Sequence, residues 1–329
     1  MKVIWAIDAF EDLKELNQKM ADYLTHLHKV EGATIEPLYL LRENEIILPT
    51  YEAPAWVTDH SKTAETLFKE VLSDYDLDFL STPKVIPHAA QSHAGAAEVL
   101  SHYALQSGAD LIVVGSHGRQ GFQRFLLGSF AESLLLQSEV PVCVMGAHAT
   151  KTRSTKCILF PTEFGEHSRE NFRHVLDLAK KLKSEIVLLH AIARPIESLF
   201  DLETRPRVYN YEGRMLSLDQ IIEEQIESQS RRAQQWVDGA SRMGVMVTHV
   251  IDSSFKPVDE LVLDAAQAHD CDLIMMEAQS GPMSAALLGS YTRNVVRKAE
   301  CPVYVLPRHF YDHPRPRLDV DASRSSPNL

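Results

Sequence analysis

Two stretches of this chain, about 160 residues apart, carry the same landmarks. Leu127-Gly128-Ser129 returns as Leu288-Gly289-Ser290, and Pro141-Val-Cys-Val144 returns as Pro302-Val-Tyr-Val305. The earlier segments follow suit. Val3 to Ile7 matches the run from Lys156 to Glu163, Thr34 to Leu41 matches Glu185 to His190, Pro83 to Pro87 matches Val245 to Ile251, and Asp110 to Val114 matches Asp272 to Met276. A period of that length is a whole domain, so the chain reads as a duplication. Its 329 residues are too many for one ordinary core and enough for two. The boundary falls near Ala149 to Thr155, which gives domains at 1–149 and 150–309. The Pro/Arg/Ser-rich tail at 310–329 is expected to be disordered.

Within each copy, short apolar runs rich in β-branched residues alternate with amphipathic runs. That alternation means crossover units on a parallel sheet with helices on both faces, a doubly wound α/β domain. In the first copy, Glu11 to Lys29 is predicted helical, with Leu13, Leu16, Met20, Tyr23, Leu24 and Leu27 on one face. Arg42 to Asp59 has no period and reads as a long loop. Ser61 to Tyr75 is a helix capped by Ser61. Gly95 to Gln106 is a helix closed by Gly108. Sheets of this kind bind ligands beyond the carboxyl ends of their strands, where the strand order reverses. If the first and fourth strands are neighbours there, Asp8 and the segment after Gly115 face one crevice.

That segment carries the most chemistry. Asp110-Leu-Ile-Val-Val-Gly115 is a buried strand, Ser116 to Leu127 holds Gly118 and Gly121, and Gly128-Ser129 opens a helix from Phe130 to Gln137. Strand, glycine loop and helix start can cradle a phosphate: glycines let the backbone approach the anion, and the first amides of the helix donate to it. A plain strand-to-helix connection that happens to contain glycines would look similar on spacing alone.

The net charge of −12, with no basic stripe to offset it, argues against a nucleic-acid partner. No apolar run approaches the ~20 residues that span a bilayer, and the apolar opening is too short for a secretory signal, so a cytoplasmic protein without membrane contact is expected. Cys143, Cys157, Cys271 and Cys301 stand far apart, with no Cys-x-x-Cys pair, and read as buried reduced thiols. His26 and His28 lie two apart on a helix, a spacing that does not face one metal, so no metal site is expected.

Gly115-x-x-Gly118, nine residues, then Gly128-Ser129 resembles the ATP-binding signature of the universal stress protein family, written Gly-x2-Gly-x9-Gly-[Ser/Thr]. The flanking Gly-Ala-Asp-Leu-Ile-Val-Val and Pro-Val-Cys-Val resemble that family as well, and the likeness covers nearly the whole chain as two tandem copies. The resemblance implies five-stranded, adenine-nucleotide alpha hydrolase-like domains in strand order 3-2-1-4-5. It also implies a cytoplasmic stress-response protein and pairing of the two domains in the manner of the family's dimers; a homodimer stays open. By the same resemblance ATP, with or without Mg²⁺, lies at the strand reversal of the first domain. Asp8 would accept from ribose or adenine, Leu40 would pack near the base, and Gly115 would lie against the ribose. Gly118, Arg119, Gly128, Ser129 and the N–H of Phe130 would hold the phosphates.

The second copy departs from the signature. Glu277 stands where Gly115 stands, Ser280 replaces Gly118, Glu163 replaces the aspartate, and the loop is one residue shorter. A carboxylate beside a phosphate site repels it, and a side chain blocks the approach that glycine allows. The second domain is therefore expected to be structural or to hold another ligand. Neither a lysine following the glycines nor an acid placed for Mg²⁺ is visible, so the chain is not expected to be an enzyme, weak ATP hydrolysis aside. His117 could touch a phosphate or simply face solvent, and His190 reads as packed. The segment Ala193 to Leu216 is either a lid or an Ω-loop without a role. Leu218 to Trp236 is predicted as a helix. The first functional expectation is an ATP-binding regulatory protein whose protein partner the sequence does not name. The alternatives are a scaffold acting through domain pairing and a weak ATPase.

Overall fold

The computed structural model describes residues 1–8, 13–42, 60–75, 77–116, 127–192, 208–209, 215–216, 218–278 and 288–307. Its first half runs β1 (Lys2–Ala6), α1 (Lys14–Glu31), β2 (Thr34–Arg42), α2 (His60–Ser73), β3 (Lys84–His88), α3 (His93–Gln106), β4 (Leu111–Gly115), α4 (Ser129–Gln137) and β5 (Val142–Met145). The second half repeats this as β6 (Cys157–Pro161), α5 (Glu166–Leu182), β7 (Glu185–Ala191), α6 (Leu218–Arg242), β10 (Val247–Asp252), α7 (Val258–Ala268), β11 (Leu273–Glu277), α8 (Ser290–Lys298) and β12 (Val303–Leu306). A small antiparallel pair, β8 (Val208–Tyr209) with β9 (Met215–Leu216), lies inside the segment expected to be a lid or an Ω-loop.

The strands form one ten-stranded sheet in the order β10-β7-β6-β11-β12-β5-β4-β1-β2-β3. Counted within its own half, each set reads 3-2-1-4-5, and every neighbour inside a half is parallel. The halves meet where β5 pairs antiparallel with β12, with Cys143 opposite Tyr304. Both strands are buried along their length. Left unpaired, each would expose a row of apolar side chains and unsatisfied backbone groups, so joining edges removes two liabilities at once.

Side chains alternate between two apolar layers. Val3 and Trp5 point to the layer under α1, α2, α5 and α6, and Ile4 points to the layer under α3, α4, α7 and α8. Each layer runs without a break through both halves. The apolar face expected of the first helix is observed: Leu16, Met20, Tyr23, Leu24 and Leu27 are all buried. Leu13 stands just before it, half-buried.

Helix ends show how the two halves diverged. Gly32 closes α1 with φ 61° and Gly108 follows α3 with φ 67°, the left-handed region that glycine enters without strain. At the matching places in the second half stand Lys183 (φ 56°) and Asp270 (φ 51°). The helix expected from Ser61 starts one residue earlier, at His60. Ser92, unforeseen, does cap α3, accepting from the Gly95 amide at 3.1 Å. All four cysteines are buried and unbridged. No helix among the described residues is long and apolar enough to cross a membrane.

Candidate functional site

The strand order of the first half reverses between β1 and β4. Ala6 is level with Leu38 of β2 and with Val114 of β4; β1 and β4 end within a residue of this level, while β2 runs on to Arg42. The Ile7 amide extends that register, donating to the Leu38 carbonyl at 3.1 Å. Asp8 and Leu40 therefore emerge at one height, beside Gly115 at the end of β4. Asp8, Leu40 and Gly115 are each half-buried, at the mouth rather than in the core.

Ser116, 1% exposed, holds the loop base together. Its amide donates to the Met145 carbonyl at 2.9 Å, and its carbonyl accepts from the Gly128 amide at 2.7 Å. The two ends of the glycine loop are thus tied to each other and to β5. Gly128 is the N-cap of α4, and the first intrahelical bond is Glu132 N–H to the Gly128 carbonyl. The amides of Ser129, Phe130 and Ala131 consequently have no acceptor within the helix and emerge at its positive end. Ser129 is exposed there, and Phe130 is half-buried against the apolar layer.

Of the residues singled out from the sequence, Asp8, Leu40, Gly115, Gly128, Ser129 and Phe130 stand at the carboxyl end of the first half's central strands. His117, Gly118 and Arg119 fall outside the described residues. Ser116 was missed, since a carbonyl that pins a loop leaves no mark on residue identity. A cavity of about 460 Å³ lies elsewhere, at Lys69, Leu72, Leu80 and Pro83 beside β3. No group of three His, Cys, Asp or Glu that could hold a metal occurs among the described residues.

The matching crevice of the second half is built differently. Glu277 ends β11, and its carboxylate accepts from the Asn171 amide nitrogen of α5 at 2.5 Å. Phe164, with φ 55° and its ring buried, packs edge-on against Trp236 at 5.1 Å and against His190 at 5.6 Å. His190 Nδ1 lies 2.8 Å from the Thr162 carbonyl, so the packed reading of this histidine holds. Burial, followed by the carboxylates of Asp259, Glu163 and Glu277, pushes the Tyr291 hydroxyl well up; Tyr291 follows Ser290 at the start of α8. That mouth carries a negative field. Ser280 falls outside the described residues.

A model of the universal stress protein family matches residues 1–146 and again 155–307. No curated protein sequence matches. Among solved structures, a universal stress protein from Archaeoglobus fulgidus superposes with TM-score 0.59 at 20% identity, covering 93% of this chain and 96% of that one. A functionally unknown protein from Pseudomonas aeruginosa superposes with TM-score 0.57 at 16% identity, covering 93% and 92%. A universal stress protein from A. fulgidus in complex with dAMP aligns with 46% of this chain and 97% of its own, at 14% identity and TM-score 0.31.

Proposed function

The chain belongs to the universal stress protein family, and from that premise we propose that it is a nucleotide-binding regulatory protein whose first half holds ATP. The observation that carries the reading is the convergence at the strand reversal: Asp8 and Leu40 stand level with each other, one residue beyond the level of Gly115, and the start of α4 is tied to that strand end by the Gly128–Ser116 hydrogen bond. Asp8 offers an acceptor to ribose or adenine, Leu40 an apolar contact for the base, and Gly115 a surface without a side chain against the sugar. Ser129 and the amides of Ser129 and Phe130 donate to phosphate, with the helix dipole behind them. Gly118 and Arg119 complete the phosphate contacts, and Mg²⁺ accompanies the nucleotide or not.

The second half holds no ATP in this reading. The Glu277 carboxylate occupies the position of Gly115 and, with Glu163 and Asp259, opposes a triphosphate. This half serves as the structural partner of the first or holds a different ligand. Bound ATP biases a conformation that a partner protein reads, and the chain is not an enzyme. The continuous ten-stranded sheet favours one other reading, a scaffold acting through the pairing of its halves.

Equilibrium titration of the full chain with ATP, alongside its Gly118→Val variant, separates the two. One saturable site in the wild-type chain, lost in the variant without a change in its melting curve, supports nucleotide binding by the first half. No binding to the wild-type chain, or equal binding to both, removes the glycine loop from the account.

A further inference from the structure

Three of the four cysteines gather at the amino-terminal ends of second-half strands. Cys157 is the first residue of β6, Cys271 precedes β11 by two residues, and Cys301 precedes β12 by two. All three are at most 3% exposed. The sulfurs of Cys157 and Cys271 are 3.1 Å apart, a thiol–thiol hydrogen bond. A disulfide brings its sulfurs to about 2.05 Å, so closing this pair requires an approach of about 1 Å. Strand register places Lys2 and Ala109 at the matching positions of the first half, so the pair belongs to the second copy alone.

A cavity of roughly 100 Å³ reaches the cluster from outside. It is lined by Cys271 and Cys301, by apolar Leu263, by Lys151 and Lys298, and by the acidic Asp264 and Glu300. That volume holds a molecule the size of a peroxide, and the lysines supply donors to a peroxide oxygen. Lys151 is fixed there by hydrogen bonds to Asp270 at 2.6 Å and to the Cys271 carbonyl at 3.3 Å.

We propose that Cys157 and Cys271 form a reversible dithiol–disulfide site, oxidised by small peroxides that enter through this cavity. The Cys271 sulfur attacks the peroxide, since of the paired cysteines Cys271 lines the cavity and Cys157 does not. The O–O bond breaks, one oxygen stays on Cys271 as a sulfenic acid, and the other leaves as water with the thiol proton. Cys157 then attacks that sulfur, the S–O bond breaks, and the second oxygen leaves as water with the Cys157 proton. Two thiols and one hydrogen peroxide become one disulfide and two waters, with two electrons passed to the peroxide. A small dithiol reverses the step. Donation of the Cys271 S–H to Cys157 and burial both push the Cys271 thiol up, which makes the reaction slow, while the Lys151 charge acts the other way. Burial pushes the Cys143 thiol up to about 12. The product ties β6 to the approach of β11, across 114 residues of chain.

The test treats the folded full-length chain with hydrogen peroxide, then denatures it, alkylates it and maps the peptides by mass spectrometry. Two of the four thiols become unavailable to alkylation, a Cys157–Cys271 cross-linked peptide appears, and dithiothreitol restores all four. In Cys157→Ala, Cys271 instead carries a sulfenic acid trapped by dimedone. Four alkylated thiols after peroxide overturn the proposal, as does a cross-link of Cys271 to Cys301. The wild-type map decides by itself if the variant does not fold.

Discussion

Matching positions of the two copies carry opposite charges where the halves meet. Ser129 opens α4 as Ser290 opens α8, so Glu132 and Arg293 occupy equivalent places in the first turn. Arg293 Nη2 donates to Glu132 Oε1 across the seam, with the two side chains 38% and 25% exposed. Two identical copies pairing this way would bring like charges together, whereas this chain brings a complementary pair. Glu132→Arg tests that arrangement. Losing a partly exposed ion pair costs about 0.5–1 kcal/mol. Two guanidinium groups about 5 Å apart at an effective dielectric constant of about 60 add about 1 kcal/mol of repulsion. The sum, about 1.5–2 kcal/mol, lowers the melting temperature by about 3–6 °C for a chain of this size. Thermal melting followed by circular dichroism reads it. The double variant Glu132→Arg/Arg293→Glu restores the wild-type value, and 1 M salt shrinks the single-variant effect. Single reversals without effect, or a double variant no better than the worse single one, would refute this view of the seam.

Lys183→Gly is expected to raise stability by about 0.5–1 kcal/mol, since Lys183 holds φ 56° at a helix end where glycine has no side-chain clash; an unchanged urea midpoint counts against it. Burial holds the His26 ring below its ordinary 6.5, with Asp272 acting in the opposite direction. The unfolded chain therefore binds that proton more tightly, and stability falls as the pH drops through 6.5. His26→Gln flattens the change in urea midpoint between about pH 7.5 and about pH 5.5, and an unflattened profile excludes His26 as its source. In the Gly118→Val chain, ATP shows no saturable binding at micromolar concentration; such binding would locate a nucleotide site in the second half.

The repeat, the strand–helix alternation and the glycine spacing are properties of neighbours along the chain, and each was legible before any coordinates. So were the helix-ending Gly108 and the apolar face of α1, because a left-handed turn and a 3.6-residue period both leave local signatures. The strand order then placed Asp8 beside the strand that ends at Gly115. Lys183 and Asp270 hid their left-handed turns, since tertiary packing there overrides the preference for glycine. The short strands β8 and β9 gave no alternation to read. The merging of two sheets through β5 and β12, the Glu132–Arg293 bridge, the Ser116 carbonyl and the Cys157–Cys271 contact escaped altogether. These depend on partners brought together by folding, the two thiols from 114 positions apart. Spacing along a chain says which element a residue sits on, and only the packed sheet decides what that residue faces.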